Sequence, residues 1–172
     1  MRQILIPKEA PKHEALKAMA ARYPELDVSA VEACIAMFRV SGEMFGFLND
    51  HFARYGLSQG RFIIMVLLNK DPDVSLSPSE LADKSCVSRA TVTGLLDGLE
   101  RDGLVRRVFD HEDRRSYSVC LTQKGKKFID KILPDHFRRL AGVMANLSDS
   151  ERNSFIRLLF KFRDGLTALS VP

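Results

Sequence analysis

The chain has 172 residues, of which 45% are apolar and 28% charged, which suits one domain, or a compact domain with appended helices, built around an ordinary core. Its longest unbroken apolar run, residues 62–68, is far too short to cross a bilayer. The opening MRQILIPKEAPKHE returns to charge after three apolar residues, so neither a membrane nor export is expected and the compartment expected is the cytoplasm. The net charge is +4, and three widely spaced cysteines, Cys34, Cys86 and Cys120, fit reduced thiols. Without a CxxC or a Cys/His cluster, no disulfide framework, metal or cofactor is expected.

In chain order, residues 8–21 have helical composition and end at Tyr23-Pro24, a break that disfavours helix at the residue before proline. Residues 29–55 place Val31, Cys34, Ile35, Phe38, Phe45, Leu48 and Phe52 at helical spacing, which predicts a long amphipathic helix stopped by Gly56. Ser58 caps a further helix running to about Asn69 and ended by Asp71-Pro72. Ser77-Pro78-Ser79-Glu80 combines a cap, a proline at the first helical position and a glutamate that closes a capping box. It predicts a short helix to Lys84. Ser88 caps the next helix, to Arg101, in which Val92, Leu95, Leu96 and Leu99 form one buried stripe and Gly103 is the stop.

Residues 104–109 and 116–121 alternate as two half-buried strands do, joined by the charged loop HEDRR. Thr122 then opens a helix to about Asn146, which Pro134 should kink by removing a backbone hydrogen bond. Ser148 to Glu151 repeats the capping box ahead of a last helix carrying Phe155, Leu158, Leu159, Phe162 and Leu166. The expected fold is mainly α with a small β wing. It divides into an N-terminal arm (1–27), a long first helix (28–57), a winged helix-turn-helix lobe (58–121) and C-terminal helices (122–172).

A short helix pair followed by a two-stranded ribbon is a shape that binds double-stranded DNA. With the apolar stripe turned inward, the helix from residue 88 to 101 turns Ala90, Thr93, Gly94 and Asp97 outward, with Arg89 and Thr91 on the flanks. Small outward residues let a backbone sit close to a groove, and Ser88 and Thr91 stand at the positive end of the helix, able to donate to phosphates or base edges. The alternative is a solvated surface helix. Arg114 and Arg115 at the loop tip suit a narrow minor groove, and Asp113 is spaced to orient Arg115 by an ion pair. Charge points the same way: residues 84–140 hold thirteen Lys and Arg against eight Asp and Glu, a surplus of five.

The stretch SPSELADKSCVSRATVTGLLDGLERDGLVRRVFDHEDRRSYSVCLTQKGKKF resembles the MarR family of bacterial winged-helix regulators, and the resemblance extends over about residues 28–168. It implies a homodimer whose terminal helices interleave as a base, and two lobes that read a pseudo-palindromic operator. It also implies Ser88, Arg89, Thr91 and Thr93 in the major groove and Arg115 in the minor groove. Gly98 departs from the family, which often carries a basic residue there. Relatives that respond to small aromatic or phenolic acids imply an effector cleft to which Phe38, Phe45, His51, Arg54, Phe62 and Met65 would contribute, with His51 or Arg54 meeting a carboxylate. In the hydroperoxide-sensing branch a reactive cysteine matches Cys34, although Phe38, Leu48 and Gln59 stand where that branch has tyrosines; a buried core cysteine is the alternative.

A repressor released by such an effector is therefore expected. The contrasting readings are a Cys34-based peroxide sensor and a winged-helix module for protein contact without DNA binding. An enzyme is not expected: His13, His51, His111 and His136 are scattered, and no nucleophile, base and orienting group come together.

Overall fold

The computed structural model describes residues 11–70, 75–109 and 117–169. It contains helices α1 (His13–Arg22), α2 (Val28–Ala53), α3 (Gln59–Asn69), α4 (Pro78–Ser85) and α5 (Arg89–Arg101). An antiparallel ribbon of β1 (Val105–Phe109) and β2 (Tyr117–Leu121) follows, then α6 (Gln123–Val143) and α7 (Asp149–Leu169). This is the mainly α, winged helix-turn-helix fold the sequence predicts. The chain separates into two compact units, residues 1–64 and 65–172, with the division inside α3.

In the first unit, α1 begins at His13, five residues after the expected start, and Tyr23-Pro24 forms a turn closed by the Leu26 amide on the Tyr23 carbonyl at 3.0 Å. The long helix is capped by Asp27 rather than starting at Ser29, because the Asp27 carboxylate accepts from the Ala30 amide at 3.0 Å and the Ser29 hydroxyl at 2.8 Å. Those bonds, the Ala30 amide first, hold the Asp27 carboxyl below its ordinary pKa. Gly56 ends the turn after α2 with φ 68°, a left-handed conformation that glycine adopts without a Cβ penalty. Phe52 and Phe62 stack with centroids 4.1 Å apart and anchor this unit's core.

The second unit is layered on the ribbon. α4 and α5 pack on each other, α5 lies against β1, and α4 and α6 against β2. Leu81, Val92, Leu96, Leu99, Val119, Ile129 and Ile132 are fully buried at the centre, whereas Leu95, expected in the same stripe, is half-buried. Register pairs Val105 with Leu121 and Phe109 with Tyr117. Leu76 adds a one-residue third strand, exchanging hydrogen bonds of 3.0 and 2.8 Å with Val119. α4 has its full capping box, with Ser77 and Glu80 each serving the other's backbone amide.

α6 is fastened to the ribbon at its first turn. Thr122 caps it and donates its hydroxyl to the Gly103 carbonyl at 2.7 Å, and Lys124 donates to the Asp102 carbonyl at 2.7 Å. Gly125 is buried there, and a Cβ built on it would overlap the Leu104 carbonyl oxygen. α6 ends at Val143, three residues short of the expected end, with Pro134 inside it. The predicted stop at Asp71-Pro72 and the loop residues Asp113, Arg114 and Arg115 lie outside the described residues.

Candidate nucleic-acid interface

α4 ends at Cys86, which takes a left-handed conformation (φ 54°), and the chain reverses there into Ser88, the cap of α5. The Ser88 oxygen accepts from the Thr91 amide at 3.1 Å and lies 2.9 Å from the Thr91 hydroxyl. Thr93 donates its own hydroxyl to the Arg89 carbonyl at 3.0 Å. These bonds refine the expected contacts. One of the two protons on the Ser88–Thr91 pair remains for an outside acceptor, and Thr93 offers a methyl group and oxygen lone pairs rather than a donor.

The outer face of α5 is as the periodicity predicts. Arg89, Ala90, Thr93, Gly94 and Asp97 are exposed, while Val92, Leu96 and Leu99 are inside. A Cβ on Gly94 would meet nothing within 4 Å, so no internal packing requires a glycine there. The face is a low ridge of small side chains opening from a positive helix end, with Arg89 exposed beside it.

The sequence reading missed what joins this helix to the ribbon. Arg107, on β1, hydrogen bonds Asp97, and its Nε lies 3.4 Å from a Glu100 oxygen. Its guanidinium also sits over the Tyr117 ring, 5.0 Å from the centroid. Burial works against the charge of Arg107, but the Asp97 hydrogen bond and the charges of Tyr117, Glu100 and Asp97 outweigh it, and its pKa lies above the ordinary arginine value. Asp97 and Glu100 are three residues apart on one helix face, a spacing that signals a shared partner without identifying it.

The residues expected to form an effector cleft are placed differently from one another. His51, Phe62 and Met65 are buried, with His51 against the rings of Phe52 and Tyr55 at 5.0 and 5.6 Å; Phe45 is half-buried, and Phe38 and Arg54 are exposed. The rings of His51, Phe52 and Phe62, at the end of α2 and the start of α3, belong to the buried part of the first unit. The first unit has a cleft of about 420 Å³ along α2, lined by Glu32, Ile35, Ala36, Arg39, Val40 and Glu43. Cys34 is a free, half-buried thiol. Among the described residues no cluster of His, Cys, Asp and Glu is placed to hold a metal, and no helix is long and apolar enough to cross a membrane.

Comparison with known proteins agrees with this geometry. The MarR family model matches residues 57–117, from the start of α3 into the second strand. The HTH-type transcriptional repressor YetL of Bacillus subtilis is 41% identical over 152 residues, covering 88% of this chain and 91% of that protein. Among solved structures, a DNA complex of S. aureus MepR superposes with a TM-score of 0.68 at 22% identity, covering 76% of this chain and 96% of that one. BpsR of Bordetella bronchiseptica, in a structure on the regulation of its DNA binding by 6-hydroxynicotinic acid, gives 0.66 at 20% identity, covering 77% and 98%. With a capped α5 clamped to a two-stranded ribbon, and a relative this similar along nearly its whole length, the chain belongs to the MarR family of winged-helix transcription regulators.

Proposed function

We propose that the protein is a homodimeric repressor that binds a pseudo-palindromic operator and leaves it when a small aromatic or phenolic acid binds. α5 enters the major groove with Ser88, Arg89, Thr91 and Thr93, and the loop of the wing brings Arg115, oriented by Asp113 and assisted by Arg114, to the adjacent minor groove. The observation that carries this reading is the outer face of α5, where small residues surround a capped, positive helix end and the carboxylate in their midst, Asp97, is engaged by Arg107.

α7 supports the two-fold arrangement. Phe155, Leu158, Leu159, Phe162 and Leu166 recur at helical spacing and stay between 36% and 59% exposed, an apolar stripe that a second copy would cover. In this reading the base of the dimer is built from the long first helix, residues 28–57, and the C-terminal helices, residues 122–172. Repression follows the similarity to YetL, and effector release follows that to BpsR. The cleft on the first unit, about 420 Å³, has the volume of a small-ligand site.

The test begins with duplexes selected by the protein from a random library. The reading expects inverted half-sites about one helical turn apart, a dimer by sedimentation, and preference over random duplex of at least about a thousandfold. 6-Hydroxynicotinate, as a first probe of the effector class, is expected to lower that affinity. Equal, steeply salt-dependent binding to selected and random duplexes would leave phosphate attraction alone and overturn the operator reading.

A further inference from the structure

The ribbon carries an aromatic pair that the core does not use, with Phe109 exposed and Tyr117 half-buried. Phe109 and Tyr117 stand opposite each other across β1 and β2, with ring centroids 5.8 Å apart and ring planes inclined by 49°. Side chains alternate along a strand, so Phe109 shares a face with Arg107 and Val105, and Tyr117 shares it with Val119 and Leu121. At the inner end of that face, Val105, Val119 and Leu121 are buried. One step out, Arg107 reaches across to Asp97 on α5. One further step out, about 7 Å along the strand, lies Phe109, whose side of the ribbon is the side turned to α5 and which is 57% exposed.

A single exposed phenylalanine needs no explanation. This one is held in a chain of contacts that begins on the recognition helix: Asp97 to Arg107, Arg107 over the Tyr117 ring, and Tyr117 against Phe109. DNA geometry supplies an occupant. A major groove and the minor groove beside it are separated by one sugar–phosphate strand. If α5 lies in the first and the wing loop in the second, that strand passes between α5 and the ribbon, and the ribbon surface that meets it beyond Arg107 is this pair.

We propose that Phe109 and Tyr117 form an aromatic shelf for the DNA backbone, on which the apolar C–H face of a deoxyribose packs while its phosphates point away. The inference rests on the binding mode proposed above. It also assigns the Asp97–Arg107 pair a second consequence, since an unneutralised Asp97 would repel the phosphates of the same strand. Because every nucleotide presents the same sugar, the shelf contributes affinity and register and leaves base preference unchanged.

The experiment uses the full-length chain and a duplex it has selected from a random library, with Phe109→Ala compared against Arg89→Ala over a series of salt concentrations. Phe109→Ala is expected to weaken binding about tenfold, as losing contact with part of a phenyl ring does, and to keep the parent's slope of log affinity against log salt. Arg89→Ala is expected to weaken binding and flatten that slope. The chain has no tryptophan, so Phe109→Trp provides a single indole fluorophore whose emission should change on adding the duplex. It also tests the site independently of the truncation. Parent-like binding by Phe109→Ala together with unchanged indole emission from the Phe109→Trp protein, while Arg89→Ala is weakened, would overturn the shelf and leave the α5 reading standing. Parent-like binding by both Phe109→Ala and Arg89→Ala would overturn the binding mode itself, and the shelf with it.

Discussion

The Arg107 guanidinium on β1 hydrogen bonds the Asp97 carboxylate on α5 and lies 3.4 Å from that of Glu100, so the ribbon and α5 are tied together through one arginine. The Arg107 side chain is 22% exposed and that of Asp97 51%, which leaves the pair partly screened. Arg107→Ala is expected to lower unfolding stability by only about 1 kcal/mol, measured by urea denaturation. Operator affinity is expected to fall further than that, because the angle of the ribbon is no longer fixed. Arg107→Lys keeps the charge and loses the planar stacking on Tyr117, and should fall between the two. An Arg107→Ala protein with parental affinity would show that the wing needs no such tie.

Gly94 offers a separation of stability from binding. Nothing in the protein lies within 4 Å of the position its Cβ would take. Alanine there is expected to raise helix stability by about 0.5–1 kcal/mol and, by adding a methyl group to the face nearest the groove, to weaken operator binding. Thermal denaturation and anisotropy titrations of one preparation measure both effects. Raised stability with unchanged affinity would mean that the DNA backbone does not approach this part of α5 closely.

Gly125 stands at the opposite extreme. Its Cβ would overlap the Leu104 carbonyl oxygen, which belongs to the main chain and cannot rotate away. Gly125→Ala should therefore cost about 2 kcal/mol or more, read as a lowered urea midpoint. A stable Gly125→Ala protein would mean that α6 is free to shift against the ribbon.

The capping boxes predict an acid-side loss of stability. Backbone amide bonds from Ser77 and Ser148, followed by the serine hydroxyls, hold the Glu80 and Glu151 carboxyls below the ordinary glutamate pKa. A carboxyl whose folded pKa is lowered stabilises the fold at pH values above its unfolded pKa, about 4.3, and that contribution disappears as pH falls through the folded value. The difference in melting temperature between the parent and Glu80→Gln should be full at pH 7 and shrink as pH falls below the unfolded pKa and through the lower folded one. A difference independent of pH would show that the ionised carboxylate has no part in the cap.

Much of this fold can be read in the sequence because its signals are local. Ser77-Pro78-Ser79-Glu80, Ser88 and Thr122 each announce a helix within three or four residues, and the structure caps a helix at each. The stripe of Val92, Leu96 and Leu99 fixes the inner face of α5, and with it the outer one. Where the sequence reading falls short, the determinants are distant. Arg107 meets Asp97 across ten residues, Leu76 pairs with Val119 across more than forty, and Gly125 is required by a carbonyl on the far side of the ribbon. None of these leaves a periodic trace. The cleft grouping of Phe38, Phe45, His51, Arg54, Phe62 and Met65 comes from the family resemblance, and helical spacing alone does not separate the buried His51, Phe62 and Met65 from the exposed Phe38 and Arg54.

The fastening of α6 to the ribbon bears on how a signal travels through the molecule. The Thr122 hydroxyl on the Gly103 carbonyl, the Lys124 amine on the Asp102 carbonyl and the absent side chain at Gly125 leave no slack between the end of α5, the ribbon and the first turn of α6. These parts form a stiff arm. In the binding mode proposed above, a shift of the first turn of α6 would carry the ribbon with it, and Pro134, further along α6, is the place where the rest of that helix could bend without disturbing this fastening.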